Sequence, residues 1–349
     1  MNTENKNSES VSKAVGYWLI TGAVLVIILL IVGGYTRLSH SGLSMVTWKP
    51  VTGFIPPMNE TEWMAEFEQY QTSPEYKLRN YHFTLDEFKE IYWPEFYHRV
   101  LGRILGLVFI IPFIYFLIRK KLTDRKLRMN LIIIFLLGAL QGLVGWLMVA
   151  SGLVDRPSVS HYRLALHLCT ALSLFVYIML VALPIVSPEK IKSINDGKKL
   201  KWIFYTLTAL VIFQIVYGAF VAGLKAGLFY PTWPKMGTEW IPATVTDSFS
   251  NGGITNSPYV VQFIHRWLAA VVVLLSVVLY LKSRKLNLEK FQKNALLFVP
   301  VVVVIQFILG VVTLMNLVPV SLGVIHQLGA LILLSTLIFV LVRINYFRA

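Results

Sequence analysis

The sequence predicts an all-α integral membrane protein whose eight transmembrane helices form two parallel repeats of a four-helix bundle. Three observations carry this. Eight apolar runs are each long enough to cross a bilayer, which takes roughly 20 residues at about 1.5 Å of rise each. The basic residues gather in short segments between those runs. A His-Arg pair in Glu95-Phe-Tyr-His98-Arg99 returns as Gln262-Phe-Ile-His265-Arg266, each at the mouth of an apolar run.

The totals agree with a membrane protein: of 349 residues, 56% are hydrophobic and 14% charged. A net charge of +14 would suit a nucleic-acid binder, but confined to short segments it matches the positive-inside pattern instead. Nucleic acid is therefore not an expected partner. Met1 to Ser12 is polar, carries two Glu and lacks Arg, unlike a presequence. The first span is accordingly expected to be retained, in a bacterial plasma membrane. The single cysteine, Cys169, allows no internal disulfide and is expected to be a small buried hydrophobe.

The expected spans are 17–36, 97–118, 130–150, 162–184, 202–223, 259–281, 295–315 and 321–343. They divide the chain into a tail at 1–16, a first repeat at 17–184 with a long outer loop at 37–96, a linker at 185–201, a second repeat at 202–343 and a tail at 344–349. An even number of spans puts both termini on one side, with the linkers at 119–128, 187–201 and 282–293. Those linkers hold six, five and five of the 32 Lys and Arg, which makes that side the cytoplasm. The opposite connections, 37–96 and 224–258, are rich in Trp, Pro, Gly and Tyr and are expected to cap the outer helix ends.

The repeat extends beyond the His-Arg pairs. Gly33-Gly34-Tyr35-Thr36-Arg37 leads to Trp48-Lys49-Pro50, and Gly218 to Gly223 leads to Trp233-Pro234-Lys235. Gln141 and Gly145 match Gln306 and Gly310, and His167 matches His326. With four spans per half, the second half enters the membrane in the same direction as the first, so the repeats are parallel. A duplicated bundle without chemistry would show the same repeat. It would leave the paired histidines unexplained.

Spans 2, 4, 6 and 8 begin on the outer face, and His98, His167, His265 and His326 fall within their first two turns. Ionisable groups at membrane depth are costly and tend to mark functional sites. Two histidines on two helices of a four-helix bundle are placed to hold a haem through two axial nitrogens, one haem per half. Glycines on spans 1, 3, 5 and 7 would admit a planar ring, or simply closer helix packing. Arg99 and Arg266 suit either haem propionates or lipid phosphates, and Arg37, Arg103 and Arg163 are weaker candidates of the same kind. Core or proton-relay histidines, or a zinc or copper site, compete with haem. Two ligands per half are too few for a closed ion site. His40, His82 and His161 are expected at the interface.

The halves differ where Glu95 precedes His98 by three residues and Gln262 precedes His265 by three. That spacing puts each on the face of its histidine. A carboxylate there suits proton acceptance, water positioning or stabilisation of positive charge. It equally suits neutralising Arg99 or capping span 2. On this asymmetry catalysis is expected in the first half and electron relay in the second.

Gly33-Gly-Tyr-Thr-Arg-Leu38, Ser41-Gly-Leu-Ser44, Trp48-Lys-Pro-Val-Thr-Gly53, Pro56-Pro57, Pro74-Glu-Tyr76, Phe88-Lys-Glu-Ile-Tyr-Trp93, His98-Arg-Val-Leu-Gly-Arg103, Gln141-Gly-Leu-Val-Gly-Trp146 and Thr232-Trp-Pro-Lys-Met236 resemble the haem A synthase family. They fit its longer-loop form, as in mitochondria and alphaproteobacteria, since the cysteine pairs of some bacterial members are missing. The resemblance implies oxidation of the C8 methyl of haem O to a formyl group, giving haem A for terminal oxidases. It implies two hydroxylations with water as oxygen source, the geminal diol then losing water. His98 and His167 would hold the substrate haem, His265 and His326 a haem b as iron axial ligands, and Glu95 would be the catalytic acid. Haem O synthase, oxidase assembly factors, an unidentified membrane electron acceptor and a second copy of the chain are the partners it brings into view. A dihaem b-type cytochrome that does not modify haem shares the four histidines and remains the alternative. A duplicated transporter would place its polar breaks at the bilayer midplane, and a prenyl transferase would need Asp-rich pairs for magnesium.

Overall fold

The computed structural model describes residues 3–49, 53–153, 157–187 and 198–343. Residues 1–2 of the first tail, residues 50–52 of the first outer loop, residues 154–156, most of the linker at 185–201 and the whole tail at 344–349 lie outside the described residues. The described chain is almost entirely helical: α1 (Thr3–Leu38), α2 (Glu60–Gln71), α3 (Leu85–Ile118), α4 (Arg125–Ala150), α5 (His161–Val186), α6 (Lys198–Gly223), α7 (Ala243–Ser250), α8 (Pro258–Ser283), α9 (Lys290–Met315) and α10 (Val320–Arg343). Eight of these, all but α2 and α7, are long and apolar enough to cross a membrane.

The helix starts follow local chemistry. Asp124 accepts from the Lys126 N–H at the head of α4, and Pro258 opens α8 in the first turn, where its missing N–H costs nothing. Glu289 and Gln292 form a reciprocal capping box on α9. The sides of the long helices stay apolar outward: Leu107, Ile111, Ile114 and Ile118 of α3 are exposed. In a bilayer such a surface faces lipid, and intrahelical bonding leaves no backbone group unsatisfied there.

The chain divides into two compact units, 1–187 and 188–349, each holding four of the long helices. In the first, α1 packs against α3 and α5, and α4 against α5. In the second, α6 packs against α8, α8 against α9, and α9 against α10. The second unit's core is mostly aliphatic, with Leu207, Leu279, Leu296 and Leu337 buried around Phe204.

The first unit departs from the sequence expectation at its outer end. Span 2 was expected to begin near 97, but α3 begins at Leu85 because Thr84 and Glu87 form a capping box. The stretch 85–96 is thus an outward extension of the helix that carries His98. Helix α2, capped by Asn59, and a π-helical turn at Tyr76–Asn80 pack on it through Phe67, Tyr70, Phe88, Tyr92 and Phe96. Trp63 meets Tyr92 edge-on at 4.9 Å between ring centroids, and Tyr70 stacks on Phe88 at 5.1 Å. The second outer connection is shorter and holds a 3₁₀ turn at Ala226–Leu228 and α7.

Within the first cap, Glu75 is buried. Its Oε2 accepts one long bond of 3.4 Å from the Tyr70 hydroxyl, which itself accepts from Asn80 Nδ2 at 2.8 Å. Burial first, and then the nearby Glu95 charge, push the Glu75 carboxyl from 4.5 up to about 7, against the opposing pull of Tyr70, Arg79 and Arg37. An acid raised on folding stabilises the fold fully below its unfolded value, and that contribution is lost as pH rises through its folded value. The cap should therefore loosen as pH rises from about 4.5 to about 7, seen as faster hydrogen exchange in α2. Glu75→Gln should flatten that dependence; an unchanged pH profile in the variant would exclude Glu75 as its source.

Candidate functional site

The four membrane-embedded histidines share one local arrangement, each lying against a glycine of the preceding long helix. A Cβ built on Gly33 of α1 would stand 2.8 Å from Cε1 of His98 on α3, and one on Gly145 of α4 would stand 2.9 Å from Cε1 of His167 on α5. The corresponding distances are 3.1 Å from Gly218 of α6 to His265 on α8, and 2.9 Å from Gly310 of α9 to His326 on α10. Ordinary carbon contacts are about 3.5–4.0 Å, so each ring occupies space that only glycine leaves open. His98 and His167 lie close enough to interact electrostatically, as do His265 and His326.

Three of the histidines are also contacted by a glutamine. Gln141 Nε2 lies 3.1 Å from Nδ1 and 3.3 Å from Nε2 of His167, and Thr170 Oγ1 donates to its Oε1. Gln214 Nε2 donates to the His265 carbonyl at 2.9 Å and lies 3.4 Å from His265 Nε2. Gln306 Nε2 donates to the His326 carbonyl at 2.9 Å and lies 3.2 Å from Nδ1. Gln141 and Gln306 were visible in the sequence as part of the repeat. Gln214 was missed, although Gln-x-x-x-Gly at 214–218 carries the same signal.

Haem fits this chemistry. A histidine that ligates iron through one nitrogen uses the other as a donor, and in each unit two such rings approach one another between helices. Among the described residues no three His, Cys, Asp or Glu come together as an ion-binding group, so the donor set of each unit is a pair of imidazoles. The buried Nδ1 atoms of His98 and His265 have no hydrogen-bond partner, a costly state for polar atoms in an apolar interior. Rings held there are available to a ligand.

The residues beside the histidines fasten the outer loops. Glu95 is buried and accepts five hydrogen bonds: at Oε2 from Ser44 N (2.7 Å), Ser44 Oγ (2.7 Å) and Met45 N (3.0 Å), and at Oε1 from Arg99 Nε (3.1 Å) and Nη2 (2.6 Å). Ser44 figured in the sequence only within the Ser41-Gly-Leu-Ser44 stretch, and nothing in its spacing pointed to Glu95. Arg99 donates onward to the carbonyls of Thr47 (3.0 Å) and Met45 (2.8 Å) and lies over the Trp48 ring. In the second unit Gln262 donates to the Tyr230 carbonyl at 3.0 Å. Arg266 there donates to the carbonyls of Thr232, Pro234 and Lys235 and lies over the Trp233 ring. The arginine-tryptophan clamp is common to both units, but only the first has a carboxylate in it. Arg266 Nη1 is buried and unpartnered, which leaves a donor for an anion; Arg99 is largely spent on the loop and Glu95.

Of the weaker candidates, Arg103 donates to the Lys49 carbonyl at 2.6 Å and Arg163 to the Leu147 carbonyl at 2.6 Å. His161 lies tilted against Tyr162, and His82 meets Tyr81 and Phe83 edge-on.

Comparison with known proteins gives this geometry a context. The COX15-CtaA family model, described as cytochrome oxidase assembly protein, matches residues 16–338. Among curated relatives, a Heme A synthase of Flavobacterium psychrophilum is 48% identical over 96% of this chain and 99% of its own length. One of Flavobacterium johnsoniae is 44% identical over 96% and 98%, and one of Nitrosospira multiformis 42% identical over 95% and 93%.

The glycine contacts make a direct prediction. Gly310→Ala drives a methyl group to 2.9 Å from His326 Cε1 and should weaken haem retention in the second unit by about tenfold or more. Haem per polypeptide and the low-spin ferric signal of the purified protein check this. Full haem content with an unshifted signal would mean that the contact does not position the ring.

Proposed function

The chain belongs to the haem A synthase family, COX15-CtaA, and from that premise we propose that it oxidises the C8 methyl of haem O to the formyl group of haem A. Water is the oxygen source in this reading. Each of two hydroxylations places a hydroxyl on the methyl carbon and releases two electrons and two protons, and the geminal diol then loses water. The protein is a multi-pass membrane protein, with both termini on the cytoplasmic side in this proposal because the basic linkers lie there.

His98 and His167 hold the substrate haem in the first unit. His265 and His326 hold a haem b in the second, which supplies one-electron transfer toward a membrane acceptor. Arg266, with its unpartnered Nη1, binds a propionate of that haem, and Arg99 orders the rim of the substrate site through Trp48 and the loop carbonyls. Haem O synthase supplies the substrate, and oxidase assembly factors receive the product.

The observation that carries this assignment is the buried Glu95–Arg99 pair beside His98, against Gln262 and an Arg266 without a carboxylate beside His265. A carboxylate has about four lone-pair sites, and five donors saturate Glu95. It therefore acts as the fixed negative end of an ion pair with Arg99, whose dipole stabilises positive charge developing on the substrate ring edge, rather than as a group that exchanges protons freely. Aimed at developing charge, a preorganised group of this kind is worth about 10²–10³ in rate.

Acid extraction of the haems from purified protein, resolved by chromatography and mass, tests the reading. Haem O, its hydroxylated form or haem A beside haem b is expected; haem b alone would point to an electron carrier. Glu95→Gln, which copies the arrangement at Gln262, should keep haem bound while lowering haem A formation about 100-fold or more. Undiminished haem A in that variant would remove Glu95 from catalysis. His265→Ala should abolish haem b binding, and unchanged haem b content would reverse the assignment of the units.

A further inference from the structure

Of the carboxylates in the first outer cap, only Glu75 and Glu95 are buried among the described residues, and their surroundings are opposite. Glu95 is filled by five donors. The Glu75 side chain accepts the one long bond from the Tyr70 hydroxyl, which leaves most of its four or so lone-pair sites open to a proton. Its place follows from two helices. Gly33 and Arg37 are four apart on one face of α1, so Arg37 stands a turn outward of the glycine on which His98 rests. Glu95 stands three residues outward of His98 on α3. The charges of both act on Glu75, and Thr36 Oγ1, donating to the Pro94 carbonyl at 3.1 Å, joins α1 to α3 at that level. Glu75 therefore lies at the outer end of the His98 site. On its other side are Tyr70 of α2 and the charge of Arg79 in the π-helical turn, where Lys77, Leu78 and Arg79 are exposed. The second outer connection has no equivalent, since its two acids, Glu239 and Asp247, are both exposed.

Resting on the assignment of substrate to the first unit, we infer that Glu75 is the proton acceptor of the reaction, taking the protons released at the substrate one at a time and handing them to the outer solvent. Each hydroxylation breaks one C–H bond of the methyl group and one O–H bond of water and forms one C–O bond. Two electrons leave for the membrane acceptor, and two protons have to leave as well. Glu95 has no lone pair left to take them. The Glu75 carboxylate takes one proton by way of water, loses it toward the exposed turn at 77–79, and is ready for the next. Burial, the largest cause, holds its carboxyl up at about 7, which suits repeated uptake and release near neutral pH. A unit that only relays electrons has no such protons to dispose of, in keeping with the exposed acids of the second connection. Glu75 is a proton-transfer residue, set back from the reacting carbon.

The test measures haem A formation against pH by the full-length protein in detergent, supplied with haem O and with ferricyanide as electron acceptor. Haem content and hydrogen exchange in α2 are read on the same samples. A proton acceptor works only when ionised, so kcat should rise with pH up to about 7, over the range in which the cap loosens. A carboxyl that merely braced the cap would make kcat fall there. Glu75→Gln should abolish the rise and lower kcat at pH 7 about 100-fold, whereas Glu75→Asp, which keeps a carboxyl, should retain the rise. Tyr70→Phe removes the donor that favours the ionised form and should move the rise to higher pH with haem content unchanged; this holds the inference to account even if Glu75→Gln fails to fold. A native kcat that falls over that range, a rise that survives in Glu75→Gln, or an unmoved rise in Tyr70→Phe would each overturn the inference. Haem A formed equally by native protein and Glu75→Gln would remove Glu75 alone. No haem A from the native protein would overturn the assigned function, and the inference with it.

Discussion

An imidazole among apolar helices has two polar nitrogens to satisfy, and little nearby to satisfy them. The structure seats all four rings in the same way and leaves Nδ1 of His98 and His265 without a hydrogen bond. A glycine on the preceding helix lets the ring lie against backbone, and at three of the four sites an amide one turn away reaches the histidine. Without the glycine the helices would have to separate or the ring would have to rotate. The histidine sites are therefore properties of helix pairs, and the spacing of α1, α4, α6 and α9 from their partners is set by them.

The outer caps depend on the same helices. Arg99 and Arg266, next in chain to a histidine, gather loop carbonyls and cover a tryptophan ring in both units. A loop held by main-chain carbonyls is fixed to the helix that bears the ligand, so cap and histidine keep one geometry. In the first unit a carboxylate joins the clamp. Removing one partner of a buried ion pair costs about 3–5 kcal/mol, so Glu95 and Arg99 are retained together. The result is a neutral pair beside His98 and an uncompensated guanidinium beside His265. The units thus differ in local charge while sharing their framework.

The first cap is also where helix geometry departed most from expectation. The apolar run that marks span 2 begins near 97, but the helix itself begins at Leu85. The capping box of Thr84 and Glu87 and the aromatic residues Phe88, Tyr92 and Phe96 account for the extension. Hydropathy detects where a helix enters lipid and is silent about how far the helix continues beyond it. The buried Glu75 was equally invisible, since a carboxylate in a polar loop gives no sign of burial until the packing around it is known.

The sequence by itself determined the number of long helices, the four histidines and the Glu95 to Gln262 exchange. Each of these rests on composition and on spacing along one chain, and a helix of fixed pitch turns spacing directly into position. Only the tertiary structure decided that each histidine rests on a glycine of another helix, that Arg99 is committed to the loop, that Glu95 is saturated by Ser44, Met45 and Arg99, and that His98 lacks the glutamine contact of its three counterparts. Apart from the Glu95–Arg99 pair on one helix, those are contacts between residues 16 to 65 positions apart. Nothing in local periodicity encodes which side chains meet across a helix interface; that is settled only when the helices pack.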